Sequence, residues 1–97
     1  GQALFWSDRA LAANRDDPQE KANAMRLRAS TLLMMKTPDA AVPMAQEALH
    51  IDKSLGLPDK MRQDLLLLAR AHEQLGQAEQ AGRFRERAAR IAATTLK

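Results

Sequence analysis

His50 and His72 are the only imidazoles in the chain, and it contains no Cys. Disulfide, zinc–thiolate and thiol-nucleophile chemistry are therefore closed to it. An imidazole metal site needs several ligands converging on one point. Glu47 lies one helical turn before His50 and Asp52 lies close after it, but no third ligand falls on the same face. His72 reads as a packed or half-buried side chain. Ser7, Ser30 and Ser54 have neither an elbow motif nor a histidine partner to activate a hydroxyl. The four glycines are too scattered to cradle a phosphate. Asp16-Asp17 and Asp52 read as caps or solvated carboxylates. The expectation is a chain with no catalytic residues, no metal and no cofactor.

Arginine is the remaining chemically active type, with ten among the fifteen basic residues and a net charge of +3. So mild an excess permits weak binding of acidic peptide or nucleic acid without requiring it. Arg83, Arg87 and Arg90 share a helical line that could grip anions. Glu79 stands four residues before Arg83, and Glu86 four before Arg90, so a solvated face laced with ion pairs is the favoured reading. A DNA-binding helix-turn-helix around Leu75-Gly76 would place His72 where a small residue belongs and Gly82 where an aliphatic one belongs. Specific nucleic-acid binding is not expected.

Positioning these groups falls to helices. The chain of 97 residues, 45% hydrophobic and 28% charged, has the composition of one small globular domain. Its apolar content is mainly Ala, Leu and Met, and Val, Ile and Thr are too few to build a sheet. No apolar run approaches the roughly 18 residues of a membrane span. The lack of Cys fits the cytoplasm but also suits the periplasm. The chain opens on Gly1-Gln2 without Met, which reads as a boundary, so a targeting sequence or further domains are left open.

Asp17-Pro18, Thr37-Pro38-Asp39, Gly56-Leu57-Pro58-Asp59 and Gly76 divide the chain into five helical segments. Asp17 is placed to cap the second, with Pro18 following and Glu20 completing a capping-box pattern. Thr37 or Asp39 is placed to cap the third. Gly56 and Gly76 suit left-handed helix stops. Pro43 conflicts with the third segment: either the helix starts near Ala40, or it kinks at Pro43. Apolar residues recur at helical spacing: Met61, Leu65, Leu68, Ala69 and His72 in one segment, and Ala78, Ala81, Phe84, Ala88 and Ile91 in the next.

The chain also repeats itself. Residues 22–55 align without gaps on 62–95 at an offset of 40, so that Ala29 meets Ala69, Ala41 meets Ala81, Ala48 meets Ala88 and Ile51 meets Ile91. Ala3 and Ala10 repeat the spacing of Ala41 and Ala48. The first segment thus reads as the second helix of an incomplete repeat.

These positions resemble the tetratricopeptide repeat family. Leu65, Leu68, Ala69, His72 and Gly76 match its first-helix pattern, and Ala81 and Ala88 its second-helix pattern. Residues 22–55 depart further, with Arg28, Leu32 and Lys36 at the Leu, Tyr-like and Gly positions. The family's second-helix aromatic falls at Ser7, Ala45 and Arg85, and Phe84 is a candidate substitute. The offset of 40 exceeds the usual repeat of about 34 residues, which points to a long-repeat variant.

The resemblance implies an all-α fold: a right-handed superhelical array of antiparallel helical hairpins, about five helices, forming one domain over 1–97. Its parts would be the half-repeat at 1–16, one repeat at 18–56 and another at 58–96. It further implies a groove for a peptide or partner helix, lined by Asn23, Arg26, Ser30 and Leu33 from one repeat and by Gln63, Leu66, Arg70 and Glu73 from the next. Arg26 and Arg70 would anchor a carboxylate. The implied role is a protein-binding scaffold. Two alternatives stand beside it. One is a self-associating module, possible as a homodimer, in which Phe5 and Trp6 form an exposed apolar edge. The other is a regulatory domain of a larger DNA-binding or enzymatic protein.

Overall fold

The computed structural model describes residues 17–95 and the side chains of 17–93. The half-repeat over 1–16, with Phe5, Trp6 and Ser7, lies outside the described residues. Four α-helices occupy nearly all of the rest: α1 (Pro18–Met34), α2 (Pro38–Leu55), α3 (Pro58–Gln74) and α4 (Ala78–Thr95). There is no strand among the described residues, so this part of the chain is all-α.

Local signals start and stop these helices. Asp17 Oδ1 accepts from the backbone N–H groups of Gln19 (3.0 Å) and Glu20 (3.2 Å), satisfying two donors that the first turn leaves free. Thr37 caps α2 only in position. Its hydroxyl donates instead to the Leu32 carbonyl, 2.9 Å away, and so serves the end of the preceding helix.

The three linkers share one hydrogen-bond pattern. The N–H groups of Thr37, Leu57 and Gln77 bond back to the carbonyls of Leu32, Asp52 and His72 at 2.9, 3.0 and 2.8 Å. The residue before each adopts a left-handed conformation, with φ of 60° at Lys36, 67° at Gly56 and 77° at Gly76. This is the glycine-favouring helix stop, and at Lys36 a side chain bears its steric cost.

Pro43 is resolved in favour of a proline inside the helix. α2 begins at Pro38, not near Ala40. The proline removes an N–H that would bond to Asp39, but both residues are exposed, so water can serve that carbonyl.

Each helix packs on its neighbour in the chain, and α1 also packs directly on α3. Alanines make this close approach possible. Ala29, Ala41, Ala45 and Ala71 join Leu32, Leu33 and Leu68 in the main core, while Ala22, Ala48 and Ile51 form a second cluster. The repeated alanines at 29 and 69, 41 and 81, 48 and 88 are all at most 2% exposed. The apolar faces read from the spacing are the buried ones, with Met61, His72, Phe84 and Ile91 half-buried at their margins and Ala78 exposed.

Candidate functional site: the groove between α1 and α3

Of the eight residues expected to line a groove, five do so together. Arg26, Ser30, Gln63, Leu66 and Arg70 border an open concavity of about 460 Å³ between α1 and α3, with Leu27 and Leu67 completing its wall. The offset of 40 explains the grouping: residues one repeat apart lie side by side on neighbouring first helices. Leu27 is 53% exposed and Leu66 40% exposed, so the groove offers aliphatic surface to solvent. Arg70 is exposed at its edge.

The remaining three stand elsewhere. Leu33 is 1% exposed and belongs to the core, which corrects its placement on the surface. Glu73 is exposed but forms an ion pair with Arg85 of α4. Asn23 turns its side-chain oxygen to the Arg26 guanidinium and accepts from it.

Arg26 requires the largest correction. It borders the groove, yet it is only 7% exposed, because its guanidinium is held by two buried carboxylates. Nη1 donates to Asp52 of α2 and, at 3.2 Å, to Asp64 of α3. With these donors committed, Arg26 is not a free anchor for a ligand carboxylate. Asp52, expected as a cap or solvated, is fully buried, as is Asp64. Two acids facing one guanidinium leave one negative charge over. Burial, with the neighbouring Asp52 carboxylate accepting a hydrogen bond, pushes the Asp64 pKa from 3.8 to about 8, and Arg26 only partly opposes this. Asp64 therefore keeps its proton at neutral pH. Asp52 Oδ1 and Asp64 Oδ2 meet no other side-chain or backbone donor. The proton on Asp64 gives this acid pair its missing donor and leaves the cluster neutral.

Among known proteins, no family model, curated protein or solved structure matches this chain. The family resemblance thus rests on its own residues, and so does the site.

Other expected features take definite places. Among the described residues, no three His, Cys, Asp or Glu side chains converge to hold a metal ion, and His50 is exposed. No described helix is long and apolar enough to cross a membrane. His72 stacks on Phe84 with ring centroids 5.2 Å apart, which ties α3 to α4. Glu79 pairs with Arg83 at 3.2 Å and Glu86 with Arg90 at 3.8 Å, as their spacing predicts. A smaller concavity at the far edge, between α3 and α4, is lined by Arg62, Leu66, Arg85, Ala88, Ala89 and Ala92.

Sequence reasoning missed the Arg26–Asp52–Asp64 cluster. One signal was available: Asp64 stands directly before the apolar run Leu65–Ala69 of α3, and the offset of 40 pairs it with Ala24, which is buried.

Proposed function

We propose that this chain is a non-catalytic protein-interaction scaffold of tetratricopeptide-like build, with the groove between α1 and α3 receiving a peptide or a partner's helix. The observation that carries this reading is the exposed leucine surface of that groove, bordered by Arg70, Gln63 and Ser30. Solvent-facing aliphatic surface inside a concavity, with a few polar groups at its rim, is the usual form of a recognition site. A right-handed superhelical stack, with a further helix over 1–16, belongs to the same proposal. Arg70 would serve as the carboxylate anchor, since its partner in the expected pair is committed to Asp52 and Asp64.

Selection of binders from a random peptide library on the intact chain tests the reading. Leu66→Arg and Leu27→Asp alter only exposed side chains, so helical content and melting should hold. Each should weaken groove binders by about tenfold or more, the scale expected when a buried aliphatic contact is lost. Binders indifferent to both substitutions would reject the groove as the recognition surface.

A further inference from the structure

A separate concavity, of about 330 Å³, is lined by residues of α2, α3 and α4. Its apolar part is supplied by Leu49, Leu68 and Phe84, and its polar part by Gln46, His50, Lys53 and Arg87. No carboxylate lines it. Four other described arginines (Arg26, Arg83, Arg85 and Arg90) are paired with acids. Among the described residues, Lys53 and Arg87 have no such partner. Arg87 is held in place by an uncharged group: its guanidinium carbon lies 5.7 Å from the centre of the Phe84 ring. Phe84 in turn is fixed by the stacked His72. Two cations from different helices thus flank a partly apolar floor without internal neutralisation.

We propose that this groove is a second binding site, and that it takes an acidic peptide segment with an aliphatic side chain among its carboxylates. The aliphatic group would rest on Leu49 and Phe84, and the carboxylates would meet Lys53 on one wall and Arg87 on the other. Charge complementarity specifies the sign of the ligand. The floor favours peptide over nucleic acid: His72 and Arg87 deny a base the Phe84 ring as a stacking platform, whereas an aliphatic side chain needs only apolar contact with half-buried Leu49 and what Phe84 leaves uncovered. This site is independent of the groove between α1 and α3, sharing no lining residue with it.

A short peptide with one leucine flanked by glutamates is the probe, titrated into the isotope-labelled chain and followed by amide chemical shifts. Shifts are expected around His50, Lys53 and Arg87, with Leu27, Leu66 and Arg70 unmoved. Lys53→Glu and Arg87→Glu should each weaken binding by about tenfold with only a small change in the melting curve, because both side chains are exposed. The same peptide with glutamines for glutamates should not bind. Equal binding of the glutamine peptide, or shifts confined to the other groove, would overturn the proposal. A single-stranded oligonucleotide that binds the same residues more tightly than the peptide would overturn the choice of partner.

Discussion

At the scale of single residues, Arg26 holds together what would otherwise repel. Arg26→Ala would leave Asp52 and Asp64 facing each other in a buried site with no cation. A loss of roughly 3 kcal/mol is expected, measurable by urea denaturation, whereas Arg70→Ala should leave stability unchanged. Equal effects of the two substitutions would show that Arg26 is solvated after all. Asp64 adds a pH dependence of unusual sign. Its folded-state pKa, about 8, exceeds its ordinary value of 3.8, so the folded chain holds a proton that the unfolded chain has lost. The stability tied to this group is complete below about pH 4, falls as pH rises through the interval and levels off above about pH 8. Denaturation between pH 5 and 9 should show that decline, and Asp64→Asn should flatten it. Lys36 offers a simpler test. Its left-handed backbone costs a side chain roughly 1–2 kcal/mol, so Lys36→Gly should stabilise the chain by roughly 0.5–1 kcal/mol once glycine's unfolded-state entropy is counted. Gly76→Ala should act in the opposite direction.

At the scale of elements, the helices and their stops were legible because each has a local chemical cause. Pro18, Pro38 and Pro58 open helices, and Gly56 and Gly76 close them. The repeated alanines were legible because close packing requires small side chains at a regular interval. They carry their own prediction: Ala48→Leu or Ala81→Leu, each at a fully buried position, should cost roughly 1–3 kcal/mol by overpacking. The groove was half legible. An offset of 40 aligns Ser30 with Arg70 and Arg26 with Leu66, and the structure brings these four to one concavity. Leu33 was misplaced because helical spacing identifies a face without saying how far its neighbours cover it. Arg26 was misplaced for a different reason. Its partners lie 26 and 38 residues away on other helices, and no local periodicity encodes such a meeting.

At the scale of the molecule, protection is unequal. α3 packs on α1, α2 and α4, whereas α4 packs on α3 alone among the described helices. Hydrogen exchange should therefore be slowest in the middle of α3 and faster along α4, since local opening follows the amount of packing that must be undone. Uniform exchange across both would indicate a single cooperative unit. Gln74, whose side-chain amide donates to the Leu33 carbonyl at 3.0 Å, adds a polar tie between the two hairpins.

The buried charge cluster also decides whether the hairpins are interchangeable. Moved by one repeat, Arg26 becomes Leu66 and Asp52 becomes Ala92, both of which line the far edge of the second hairpin. Moved back by one repeat, Asp64 becomes Ala24. The first hairpin thus presents charge where the second presents aliphatic surface, although their alanines are in register. A chain made by duplicating the second hairpin would set the carboxyl of the new copy against Leu66 and Ala92, where Arg26 and Asp52 stand in the first; the arginines beside them, Arg62 and Arg85, occupy other positions of the repeat. The order of the two units is written into the seam between them, and a copied hairpin would not rebuild the Arg26–Asp52–Asp64 cluster.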